Sequence, residues 1–168
     1  GGMGCVSNPL IVNKSIKNKQ SLRSIDLQVL SIMQKTIRGL QKEGRPYKGV
    51  LYLGGIIVRN KVYVIEFNAR WGDPEAQVLV PAIKNDFVDV ADAIIFGKIK
   101  NLKISIDKKV RVVVAACAKG YPLDYSKVKG KKVLGIDEVL KTGAKIYGAG
   151  IKKIGKDFVV NGGRVLFV

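Results

Sequence analysis

Three residues at alternating positions, Glu66, Asn68 and Arg70, offer the clearest chemistry in this sequence. They close the run 61–70, KVYVIEFNAR, which is rich in β-branched and aromatic residues and reads as a strand. Alternate residues of a strand project to one face. Tyr63, Ile65 and Phe67 therefore form an apolar face, while the opposite face runs from Val62 and Val64 to the polar Glu66, Asn68 and Arg70. A carboxylate and an amide oxygen on one face can share a hard cation, which prefers oxygen ligands. A guanidinium just beyond them supplies the fixed charge that stabilises a transferring phosphoryl group. The same spacing also suits a hairpin with a solvated outer face, on which Glu66 and Arg70 make a weak surface pair.

The next five residues, Trp71-Gly72-Asp73-Pro74-Glu75, join a bulky aromatic, a permissive glycine, two acids and a helix-starting proline. Asp73 is placed either to cap the following helix or to act at a site.

Several elements must hold these residues. Apolar positions Leu22, Ile25, Val29, Ile32, Met33, Ile37 and Leu40 recur at helical steps, so the pattern predicts a helix over 21–43 that ends at Gly44 and Arg45-Pro46. Residues 49–58 and 61–69 predict a hairpin turned at Arg59-Asn60, which sets Leu53 opposite Glu66. Helices are expected over 74–83 and 86–96, with Asp86 as a cap. After Gly97 the chain turns to strands at 102–106, 110–116, 145–147, 158–160 and 164–168, interrupted by a helix over 136–142 that Gly143 ends. Residues 1–20 read as an irregular entry. The expected class is α+β: an antiparallel sheet with helices over 1–97, then a small, mostly β domain over 98–168.

Composition bounds the rest. The 168 residues are 47% hydrophobic, enough for one core or two small ones. No apolar run is long enough to span a membrane, no leader pattern is present, and the cytoplasm is the default expectation. Cys5 and Cys117 are far apart and the chain has no histidine, which argues against disulfide frameworks and zinc sites. The net charge of +17 is scattered and not interleaved with aromatics, so it suits small anions better than nucleic acid. Neither a nucleic-acid nor a membrane partner is expected.

The string Glu66-Phe67-Asn68-Ala69-Arg70-Trp71-Gly72-Asp73-Pro74-Glu75-Ala76-Gln77 closely resembles the signature of the glycinamide ribonucleotide synthetases, a family of the ATP-grasp superfamily. Gly1-Gly2-Met3-Gly4, Glu43-Gly44-Arg45-Pro46-Tyr47, Gly120-Tyr121-Pro122 and Asn161-Gly162-Gly163-Arg164-Val165 resemble further motifs of that family, in its order. The resemblance implies the C-terminal lobe of an ATP-grasp domain followed by the family's small C-terminal domain. It implies a ligase of purine biosynthesis that joins glycine to 5-phosphoribosylamine through a glycyl phosphate, with ATP and Mg2+ or Mn2+. By the same resemblance Glu66 and Asn68 hold the metal and nucleotide, Arg70 and Asp73 are catalytic, and Gly1, Gly2, Met3, Gly4, Glu75, Asn161, Gly162 and Arg164 lie toward substrate. Gly1-Gly2-Met3 also reads as a cloning remnant, and residues 161–164 as a plain glycine-rich hairpin turn. The family's N-terminal domain and nucleotide-gripping lobe are expected ahead of Gly1, in cis or as a separate chain. Without them the chain is expected to be inactive alone. The metal set is thin, because Leu53 would face Glu66 where many ATP-grasp enzymes place an acid.

Overall fold

The structure is a computed structural model that describes residues 2–7 and 19–168. It is α+β, and the chain divides into two units. One comprises Ser7–Gly72 and Leu79–Val110, the other Gly1–Val6, Asp73–Val78 and Arg111–Val168.

In the first of these, Arg59 and Asn60 take φ of 48° and 61°. Positive φ at both central residues is what a type I′ turn needs, and its twist matches that of paired strands. Strand β2 (Tyr52–Val58) and strand β3 (Lys61–Asn68) therefore pair antiparallel. Helix α1 (Lys19–Lys42) is tied to this hairpin by one side chain. Gln28 donates from Nε2 to the Asn60 carbonyl at 2.9 Å and accepts the Val62 N–H on Oε1 at 3.1 Å. The amide thus answers two backbone groups that the turn and strand edge would otherwise leave to water.

Two expectations here change. The helix expected over 74–83 is cut to α2 (Glu75–Leu79) and a 3-10 turn at Val80–Ala82. Pro81 supplies no backbone N–H and its ring crowds the preceding turn, so the α-helix stops there. Residues 102–106 are not a strand either. They run beside the 82–85 segment through one bridge, Ile83 to Ile106, and through Asn85, which accepts from Ser105 N at 2.7 Å and donates to the Lys103 carbonyl at 3.1 Å. Helix α3 (Phe87–Ile95) starts as expected, with Asp86 Oδ1 accepting the Val88 N–H at 2.7 Å.

The second unit is built on a four-stranded sheet, ordered β1 (Gly4–Ser7), β4 (Arg111–Cys117), β8 (Arg164–Phe167), β5 (Tyr147–Gly148). Helix α4 (Ile136–Lys141) and a hairpin of β6 (Ile151–Ile154) and β7 (Asp157–Val160) complete it. Phe167 joins Val78, Val113 and Ala115 in one buried cluster, and Leu166 joins Val165 and Ala118 in another.

The long C-terminal piece begins at Arg111, and residues 4–7, read as irregular, form its edge strand, because Ala115 N donates to the Met3 carbonyl at 2.8 Å. Val78 carries its own segment into the same unit by packing with Phe167. Strand β6 was not anticipated, and the strand expected at 145–147 lies at Tyr147–Gly148. Among the described residues no helix is long and apolar enough to cross a membrane.

Phe167 is 1% exposed, so Phe167→Ala should cost about 3 kcal/mol in urea unfolding, whereas Leu123→Ala, at 90% exposure, should stay within about 0.5 kcal/mol. Cys5 offers a second check. Burial first, and the Glu75 charge second, push its thiol above the ordinary 9.0, against a smaller opposing pull from the Val6 backbone. At pH 8 the native chain should be alkylated at Cys5 more slowly than the unfolded chain, and Glu75→Gln should speed the reaction, as read by mass spectrometry of the Cys5 peptide. The folded state keeps this proton longer, so the thiol's contribution to stability is whole below pH 9.0 and declines as pH rises through the folded value.

Candidate functional site

The face taken by the acid and the amide of strand β3, Glu66 and Asn68, depends on a register shift. Val58 pairs with Lys61, Ile57 with Val62, Ile56 with Tyr63 and Gly55 with Val64, but Gly54 then pairs with Glu66. Ile65 is the extra residue of a β-bulge. Two expectations are corrected by it. Gly54, not Leu53, stands opposite Glu66, and Leu53 faces Phe67. The bulge also interrupts the simple alternation, so by register Glu66 and Asn68 share the face of Ile56 and Tyr63, not that of Val62 and Val64.

Glu66 and Asn68 nevertheless remain together. Asn68 Nδ2 donates to Glu66 Oε1 at 2.9 Å, and Glu66 is exposed. That bond fixes the amide orientation and leaves Glu66 Oε2 and Asn68 Oδ1 as the pair's remaining oxygens. Gly54 makes room for them, since a Cβ there would sit 3.1 Å from Glu66 Cγ. The strand pattern gave no hint of that function; the Gly54-Gly55 pair, unusual inside a strand, was the available signal. Arg70 is not joined to the pair: its Nη1 donates to the Trp71 carbonyl at 2.7 Å. The Glu66–Arg70 surface pair is therefore not formed. No group of three or more His, Cys, Asp or Glu among the described residues could hold a metal by itself.

The other expected residues lie in the unit built on β8. Arg164 Nη2 meets Asp73 Oδ2 at 2.6 Å, and its Nη1 donates to the Asp73 carbonyl at 3.0 Å and the Gly2 carbonyl at 3.1 Å. Asp73 Oδ1 accepts from Gln77 Nε2 at 2.8 Å, so both carboxylate oxygens are engaged. Gln77, which sequence reasoning passed over, is thus part of this network, and its own Oε1 is buried with no partner. Glu75 opens helix α2. Met3 is exposed, while Gly2 and Gly4 are closely packed: added Cβ atoms would lie 2.8 Å from Pro74 Cδ and 2.7 Å from the Val113 carbonyl oxygen. Gly1 lies outside the described residues.

At the 161–164 loop, Asn161 and Gly162 both donate their N–H to the Gly150 carbonyl, at 2.8 and 2.9 Å. A Cβ on Gly162 would meet the Gly150 Cα at 2.8 Å, and one on Gly163 would collide with the Tyr121 ring. These glycines have a packing reason for being glycine. Asn161 is exposed.

Residues 1–76 match the family described as phosphoribosylglycinamide synthetase, ATP-grasp (A) domain. The chain is 40% identical over 166 residues to a phosphoribosylamine–glycine ligase of Caldanaerobacter subterraneus, covering 98% of this chain and 37% of that protein. It is 41% identical over 139 residues to the trifunctional purine biosynthetic protein adenosine-3 of Bos taurus, covering 82% of this chain and 14% of that one. The crystal structure of phosphoribosylamine–glycine ligase from Thermotoga maritima superposes with a TM-score of 0.66 at 29% identity, over 99% of this chain and 38% of that one. The chain spans less than two fifths of the length of these relatives. Along essentially its whole length this chain is similar to phosphoribosylamine–glycine ligases, and its residues 1–76 match the phosphoribosylglycinamide synthetase ATP-grasp domain.

Proposed function

We propose that this chain is part of an ATP-dependent ligase of purine biosynthesis that joins glycine to 5-phosphoribosylamine. The observation that carries the reading is the Glu66–Asn68 pair, hydrogen-bonded on one exposed strand face inside the residues that match the ATP-grasp domain. Glu66 Oε2 and Asn68 Oδ1 fit Mg2+, or Mn2+, of the kind that takes one or two protein oxygens and completes its shell with phosphates and water. Bound there, the ion would neutralise charge between the ATP phosphates.

The chemistry needs two displacements. A glycine carboxylate oxygen attacks the terminal phosphorus and ADP leaves; the amine nitrogen then attacks the carbonyl carbon, loses a proton, and phosphate leaves. Arg70, exposed and held by one bond to its neighbour's carbonyl, can turn to the acyl phosphate and offset its charge. Glu75, Met3, Gly4 and Asn161 are placed toward substrate in this reading, and the chain's net +17 suits its anions. The rest of the enzyme's length supplies the nucleotide-gripping lobe and covers apolar residues that stand open here, such as Ile65 at 71% exposure. The setting is cytoplasmic.

The full-length protein that carries this chain should release ADP only when glycine and phosphoribosylamine are both present; release driven by bicarbonate or formate instead would overturn the assignment. Glu66→Gln should lower kcat/KM by about a hundredfold, and Gly54→Val, which crowds Glu66, should lower it by about tenfold. Unchanged activity in Glu66→Gln removes the metal role.

A further inference from the structure

We infer that Arg164 and Asp73 form a positioning clamp, holding the Gly2–Gly4 loop against the Asp73-Pro74 turn, and that neither side chain contacts substrate. The inference rests on the proposed ligase reading for what the loop positions, but the clamp itself stands on geometry.

The guanidinium is committed to protein acceptors. It spans the Asp73 carboxylate at 2.6 Å, the Asp73 carbonyl at 3.0 Å and the Gly2 carbonyl at 3.1 Å, with the Phe167 ring centroid 5.3 Å from its carbon. A planar fork over an aromatic face has its orientation set before any ligand arrives. Asp73 is equally committed, with Oδ2 on Arg164 and Oδ1 on Gln77. Three guanidinium hydrogen bonds are thus taken by carbonyl and carboxylate acceptors of the protein, and each Asp73 carboxylate oxygen already accepts one bond.

What the clamp restrains is closely bounded. Gly2 has Pro74 Cδ where a Cβ would be, at 2.8 Å, and Gly4 has the Val113 carbonyl oxygen at 2.7 Å. The Met3 carbonyl is held by Ala115 N at 2.8 Å. Arg164 is the side chain that bonds the loop to the Asp73 turn, two segments remote in sequence. A displacement of about 1 Å in a substrate-facing loop can cost catalysis heavily, so a residue of this kind acts through geometry.

Two measurements test it. In the 168-residue chain, Arg164→Gln should speed hydrogen exchange at the Gly4 and Gln77 amides and leave the β6–β7 hairpin unchanged. Unchanged exchange at Gly4 and Gln77 overturns the clamp whatever the enzyme does. In the full-length protein, Arg164→Gln and Asp73→Asn should each raise the KM of glycine or the amine about tenfold with kcat within about twofold, and the double variant should be no worse than the worse single. Arg164→Lys should recover the unfolding midpoint but not the KM, because one ammonium cannot span three acceptors as the fork does. Effects that multiply in the double variant, a loss in kcat at unchanged KM, or full recovery of KM by lysine would each overturn the positioning role. A full-length protein with no glycine-dependent ADP release sinks the ligase reading, while the exchange result still decides the clamp.

Discussion

The Arg164 guanidinium is where three pieces of chain separated by as many as 162 residues are bonded together. Unlike the cost of ordering a residue, the entropy of closing a loop grows only slowly with its length, so distance in sequence is not the obstacle to such a meeting. Specificity is. A partly exposed ion pair contributes at most about 1 kcal/mol, and the energy that gathers these segments comes instead from the apolar cluster of Val78, Val113 and Phe167. The cluster, though, is tolerant of small slides. The fork is not, because three acceptors from two segments must meet two nitrogens in one plane. Hydrocarbon supplies the association and the guanidinium supplies the register.

A comparable division of labour operates in the β2–β3 hairpin. The turn at Arg59-Asn60 sets the pairing at the tip, and uninterrupted alternation from there would have put Glu66 and Asn68 on the Val64 side. One extra residue, Ile65, carries both polar side chains to the other face while keeping them two apart. Their mutual bond at 2.9 Å survives because a bulge changes the face of everything beyond it together. Gly54 then completes the arrangement from the opposite strand by leaving empty the volume a side chain would take from Glu66.

This explains what could be read from the sequence and what could not. Helix α1, the hairpin turn, the Asp86 cap and strands β4 and β8 follow from local periodicity and turn chemistry, which act over a few residues. The Glu66–Asn68 pairing was legible for the same reason, since spacing by two survives the shift. The bulge was not, because nothing in KVYVIEFN distinguishes a regular strand from one with an extra residue until its partner's glycines are considered. Strand β1 escaped notice because four residues become a strand only when β4 lies beside them, and 102–106 looked like a strand because its β-branched residues were judged without a partner. Asp73 and Arg164 were both singled out, yet no spacing rule connects residues 91 apart, so their bond to each other was invisible.

The two units also differ in how their stability is made. In the one that contains α1 and the hairpin, the buried hydrophobic residues among those described are Ile25 and Ala82, while Ile56, Tyr63 and Ile65 are each more than half exposed. A lone two-stranded ribbon is marginal in water, and with little core beneath it the polar ties from Gln28 must set its position against α1. Such ties fix geometry at small net energy, since each protein hydrogen bond replaces one to water. The strand that carries Glu66 and Asn68 is therefore well directed but weakly anchored.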